Sequence, residues 1–204
     1  DYASIMIAQR TLQPLDQSKM TNKVNLNPKC IEKMDFDPEL TYCMPYYFGA
    51  AGVSVNKSKV PDGNYERSWS IFADSQFKGH ATMMDDMREV MGDALVTQGK
   101  SVNSLEDSDL IEAASLVSKA WKPNLVKFDA ESFGKSFASG DFWLCQGYAE
   151  VVFGEVPEEK WAETIDFFIP EVGGPAYLDS LCILKGAKHA ELANEFINYI
   201  HRPE

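Results

Sequence analysis

The chain has 204 residues, 45% hydrophobic and 25% charged, with 19 Lys plus Arg against 31 Asp plus Glu and a net charge of −12 at pH 7. That is the composition of an ordinary globular chain, long enough for one large core or two small ones. The acidic balance excludes the basic footprint that nucleic acid needs, disfavours an anionic membrane surface and suits a cationic ligand.

The chain opens on Asp1 without an initiator Met or a signal peptide, which predicts an N-terminus that is processed, trimmed or not included here. No apolar run is long enough to span a membrane, so no membrane insertion of this chain is expected. Residues 2–13 carry Ile5, Ile7, Ala8 and Leu12 at helical spacing and predict a short helix, which Pro14 ends. Residues 16–40 read as loop, with Asn27-Pro28 and Asp37-Pro38 as turn signals and one helical turn near Pro28–Met34. Residues 42–56 are apolar and aromatic with small residues where a backbone must approach closely, and read as one long or two consecutive strands.

A helical patch follows at Trp69–Ala73, a short strand at Gly79–Met84, and a helix from about Asp86 to Gln98, closed by Gly99. Residues 106–120 form a second amphipathic helix. Strands are expected at Asn124–Phe128, Phe142–Cys145, Thr164–Ile169 and Tyr177–Leu184, with a helix opening at Gly147–Glu150 and a last helix over 188–200. Strands alternating with helices predict an α/β fold with a mainly parallel sheet.

The densest chemistry lies in Met83–Val90, where Asp85, Asp86 and Glu89 fall within five residues. Asp85 or Asp86 is a natural helix N-cap. Asp86 and Glu89 share one helical face and repel each other unless something positive sits between them. Arg88 lies on another face and suits that role poorly. Two readings stay open here: a cation held between the carboxylates, or an acidic first turn that complements the helix dipole. Aromatics at 12%, often beside acidic residues, suit cation–π recognition of amines, although core packing accounts for most of them.

The four cysteines show neither CxxC nor metal-ligand spacing. Cys145 and Cys182 lie in apolar runs and are expected as buried thiols, while Cys30 and Cys43 are the pair that an oxidising compartment could link. His80, His189 and His201 are scattered and expected at the surface. No phosphate loop, GxSxG, HExxH or Cys–His–Asn pattern is present, and no cofactor or metal is expected. Asp86 with Glu89 or Asp179 could be drawn as a hydrolytic acid/base pair, but nothing in the sequence marks a carboxyl of raised pKa.

Several runs resemble the bacterial periplasmic spermidine/putrescine-binding proteins of ABC importers. They are Phe36-Asp37-Pro38 with Tyr42, Pro45-Tyr46 and Gly49, then Ser68-Trp69, Phe77-Lys78-Gly79 and Met84–Val90. Gly140-Asp141, Gly147-Tyr148, Pro170–Leu181 and Phe196–Ile200 with Arg202-Pro203-Glu204 follow in the same order. The resemblance implies a two-lobe periplasmic-binding-protein type II architecture with crossing strands near 44–50 and 175–180. Residues 49–176 would form one lobe, and 1–48 with 177–204 a partial other lobe. It implies capture of a polyamine for an ABC importer permease in the periplasm, with any lipid anchor lying outside this chain and no enzymatic step. Asp86, Glu89 and Asp179 would meet ammonium groups. Tyr148 and Tyr177 would stand where the family has tryptophans that sandwich methylenes. The resemblance also implies that parts of one lobe are missing, so the isolated chain is expected to bind polyamine weakly or not at all and to expose apolar surface. The alternatives are the same fold holding another amine, a sugar or an iron complex, a carboxylate-dependent hydrolase, or a purely structural or receptor-docking role.

Overall fold

The structure, a computed structural model, describes residues 2–32, 34–60 and 62–203. Lys33 of the expected early turn and Glu204 of the last matched run lie outside the described residues, as do Asp1 and Pro61. In chain order the elements are α1 (Tyr2–Ala8), β1 (Leu12–Gln13), α2 (Pro28–Ile31), β2 (Cys43–Ala50), β3 (Gly52–Asn56), β4 (Ala81–Met83), α3 (Met87–Thr97) and α4 (Asp107–Leu116). They continue with β5 (Leu125–Phe128), α5 (Phe133–Ser139), β6 (Leu144–Gly147), α6 (Ala149–Glu155), α7 (Trp161–Thr164), β7 (Ile165–Phe168), β8 (Ala176–Leu184) and α8 (Ala190–Ile200). Contacts divide the chain into two compact units, one made of residues up to Gly49 and from Tyr177 onward, the other of Ala50–Ala176.

The first unit holds a three-stranded sheet in the order β1-β8-β2. The helix expected over 2–13 stops at Ala8. Arg10 takes φ +56°, which no helix continues through, and Leu12–Gln13 pairs antiparallel with Leu184 and Ile183 instead. Leu12, Leu15, Met20, Met34, Leu40, Cys43, Met44, Ile183 and Ile197 form the core. The carboxylate of buried Asp37 accepts the amides of Thr41, Tyr42 and Cys43 at 2.9, 2.8 and 2.8 Å, which fixes where β2 begins. The Asp37-Pro38 turn signal therefore also anchors a strand. α8 buries Asn194 and Ile197 but leaves Leu192 and Phe196 exposed, so its apolar stripe is only partly used. Asn194 is buried because its side-chain oxygen accepts the Asp16 amide at 2.8 Å. His201, expected at the surface, is half-buried, its ring nitrogens 2.7 and 2.6 Å from the carbonyl oxygens of Ile197 and Pro45.

The second unit holds a five-stranded sheet in the order β5-β4-β6-β3-β7. β4 runs parallel to β5 and β6, and β3 runs antiparallel to β6 and β7. The expected mainly parallel sheet is thus mixed. Parallel neighbours need a helical crossover, and α3–α4 and α5 supply two, from β4 to β5 and from β5 to β6. β3 enters the unit straight after β2 and slots between strands that run the other way. β3 and β6 are buried at every position, as strands covered on both faces are. α5 was not anticipated. Phe133 and Phe137, one turn apart, bury its inner face, and Gly134 lets it close on the Val151 carbonyl.

Candidate functional site

The site is built where β4 gives way to α3. Asp86, not Asp85, is the N-cap. Its carboxylate accepts the amides of Arg88 at 2.8 Å and Glu89 at 3.3 Å. The capping reading of Asp86 therefore holds, and its side chain remains exposed. The far end of α3 is fixed just as locally. Gly99, at φ +72°, lets its own amide reach the Val96 carbonyl and the Lys100 amide reach that of Leu95.

One turn into α3, Glu89 is 7% exposed, and one turn further Asp93 is fully buried. The two are four residues apart and share a helical face. Gln146 on β6 comes up beside them. Its carbonyl accepts the Met84 amide at 2.8 Å, which holds the β4–α3 corner and turns its amide nitrogen inward. Both oxygens of Asp93, Glu89 Oε2 and Gln146 Nε2 have no hydrogen-bond partner among the described residues. The turn before β8 closes over this side of α3. Trp69 Nε1 donates to the Gly173 carbonyl at 2.7 Å, and a Cβ on Gly174 would meet the Trp69 ring at 2.9 Å and Asp93 Oδ1 at 3.3 Å.

The electrostatics follow from that burial. Glu89 is pushed up to about 7, by burial first and by the Asp86 charge second, against a hydrogen bond with Tyr148 and the Arg88 charge. Asp93 is pushed up to about 9, by burial and then by the Glu89 charge, with the Gln146 side chain opposing weakly. Asp129 is the contrast. It is as little exposed as Glu89 but nearer the protein's exterior, and Lys127 at 2.8 Å with the Ser132 hydroxyl and amide outweigh its desolvation and hold it well below the usual carboxylate range. Burial raises a carboxyl's pKa unless the charges and donors around it outweigh the desolvation. Ligand-free at neutral pH, the Glu89–Asp93 pair carries at least one proton.

Tyr148 stands at the N-cap of α6, half-buried, with its hydroxyl hydrogen-bonded to Glu89. A tyrosine here offers a polar handle as well as a ring face. Among the residues singled out from the sequence, the structure thus brings Asp86, Glu89 and Tyr148 together in the second unit. Tyr177 and Asp179 lie on β8 of the first unit. Tyr177 is half-buried against Tyr47, centroids 6.3 Å apart, and its ring fills the space above Gly49, where a Cβ would collide with the hydroxyl. Asp179 is exposed. Sequence reasoning missed Asp93 and the raised carboxyl pKa values. The signal was present in the 89/93 spacing, one helical turn beyond the pair already noted. Among the described residues no cluster of three or more His, Cys, Asp or Glu side chains could hold a metal ion, and no helix is long and apolar enough to cross a membrane.

Residues 2–204 match the family model described as bacterial extracellular solute-binding protein. The spermidine/putrescine-binding periplasmic protein of Escherichia coli K12 is 33% identical over 204 residues, all of this chain and 57% of the relative. The putrescine/cadaverine-binding protein of Pseudomonas aeruginosa is 30% identical over 203 residues, 96% of this chain and 57% of the relative. The crystal structure of the Tp0655 (TpPotD) lipoprotein of Treponema pallidum superposes with a TM-score of 0.96 at 47% identity, covering all of this chain and 63% of that one. The PotD substrate-binding protein of Streptococcus pneumoniae shares the fold, with a TM-score of 0.83 at 23% identity over 98% of this chain and 60% of that one. The chain therefore spans about three-fifths of the length of the relatives it matches.

Proposed function

This chain belongs to the bacterial extracellular solute-binding proteins, and from that premise we propose that it takes part in capturing a polyamine, spermidine or putrescine, in the periplasm for delivery to an ABC importer permease. The observation that carries the reading is the buried Glu89–Asp93 pair beside Tyr148, a charge site that its own neighbours leave incomplete. A polyamine presents ammonium groups joined by short methylene runs. Carboxylates hold ammonium groups by charge-assisted hydrogen bonds. Aromatic rings cover methylenes and attract the cations beside them.

In this reading Asp86 and Glu89 receive one ammonium, with Tyr148 as ring wall and as the donor that orients Glu89. By the same family resemblance, Asp179 is the candidate partner of a second ammonium and Tyr177 a candidate cover for methylenes. Asp93 sits behind Glu89 and releases its proton when the cation arrives. No bond is made or broken in the solute. Binding would shift the protein toward the state in which both carboxylate groups touch it. The relatives' names, spermidine/putrescine-binding and putrescine/cadaverine-binding, support the ligand class.

The test is calorimetric titration of the native protein with spermidine, putrescine and cadaverine, and with glutamate and phosphate as anionic controls. Saturable binding of at least one amine and none of the anions is expected. Binding of an anion with no response to any amine overturns the reading.

A further inference from the structure

The four cysteines play no part in the proposed site, and their placement differs from the sequence expectation. Cys145 is buried in the second unit, but the sulfur that faces Cys43 belongs to Cys182, not to Cys30. The two sulfurs lie 3.1 Å apart. Cys43 is the first residue of β2 and Cys182 lies on β8, its neighbour in the three-stranded sheet. Neighbouring strands of one sheet lie about 4.7–4.9 Å apart. That lies inside the range of roughly 4.4–6.8 Å that a disulfide accepts. A bond needs the sulfurs at about 2.05 Å, so about 1 Å must close, which small χ1 rotations of two facing side chains supply. Cys43 is fully buried among Leu12, Met44 and Ile183, while Cys182 is half-buried at the edge of the same cluster. Cys182 is therefore the more accessible residue of the pair.

We propose that Cys43 and Cys182 form a disulfide that ties β2 to β8. The chain leaves the first unit after Gly49 and re-enters it at Tyr177, so the bond clasps the two strands between which the whole second unit is inserted. The reaction is thiol–disulfide exchange with a disulfide-bearing oxidant, either a protein or a small thiol in its oxidised form. The Cys182 thiolate attacks one oxidant sulfur and releases the other as a thiol. Cys43 gives up its proton and attacks the Cys182 sulfur of that mixed disulfide, releasing the second oxidant thiol. Two electrons and two protons pass to the oxidant. The contact with Cys43 lowers the Cys182 pKa, and Cys182 is the more exposed of the two, which suits it to the first step. The periplasmic setting proposed above is an oxidising one. The two cysteines are 139 residues apart in sequence, and a crosslink that closes so long a loop constrains the unfolded chain strongly.

The native protein, incubated with oxidised glutathione, alkylated with iodoacetamide and digested without reduction, is expected to yield a linked peptide pair holding Cys43 and Cys182. Cys30 and Cys145 are expected to remain outside that link. Adding dithiothreitol should lower the unfolding midpoint by on the order of 5–15 °C. Cys182→Ser should abolish both the link and the shift, and Cys30→Ser should abolish neither. Alkylation of all four thiols after the oxidant overturns the proposal, as does a link that includes Cys30, or a midpoint that reduction leaves unchanged.

Discussion

Asp93→Asn isolates the buried carboxyl, because it keeps the side chain's shape and removes its titration. In the folded protein Asp93 is raised from 3.8 to about 9, so the native state holds a proton that the unfolded chain has already lost. Stability linked to this group is fully present below pH 3.8 and falls as pH rises toward 9. Each pH unit inside that window costs about 1.4 kcal/mol. Between pH 6 and pH 8 the loss is on the order of 3 kcal/mol, which for a chain of this size is roughly 5–11 °C of unfolding midpoint. Glu89, raised from 4.5 to about 7, adds a loss of the same sign that ends near neutrality. Thermal unfolding followed by circular dichroism at pH 6 and pH 8 on the ligand-free protein measures the difference. The wild type should lose several degrees over that interval. Asp93→Asn should lose clearly less and should be the more stable of the two at pH 8. Parallel midpoint-against-pH curves for the two proteins would refute the argument that burial without donors keeps Asp93 protonated.

Cation binding to the same pair should release protons, so polyamine affinity should rise between pH 6 and pH 8, by up to about tenfold per unit for each proton released; calorimetry in two buffers of different ionisation enthalpy counts those protons. Asp86→Asn keeps the cap, since asparagine caps as well as aspartate, so the unfolding midpoint should hold while amine affinity falls about tenfold or more; equal losses in both would mean that Asp86 serves the helix alone. Tyr148→Phe removes the hydroxyl that favours the charged form of Glu89, so the pH at which amine binding sets in should move upward in a titration. Gly174→Ala forces a methyl against the Trp69 ring and the Asp93 carboxyl, and should cost about 1–3 kcal/mol in denaturant unfolding.

Much of this molecule follows from short-range rules. The Asp86 cap, the Gly99 stop, the strand pair over 42–56 and most elements of the second unit, α5 excepted, are set by residues within a turn or two of one another, and such signals survive in a linear reading. Asp86 and Glu89 stood out as a charge pair at helical spacing, whereas Asp179, Tyr148 and Tyr177 were candidates only through the family resemblance. Only the tertiary structure decided that β3 would insert antiparallel into the sheet, that Leu12–Gln13 would leave its helix to pair with Ile183 and Leu184, and that Cys43 would face Cys182. It alone decided that Asp93 would be buried beside Glu89 with donors for neither oxygen. Strand partners, sulfur neighbours and the desolvation of a carboxyl depend on groups tens to more than a hundred residues away. The chain specifies those groups, but only folding brings them within the few ångströms over which they act.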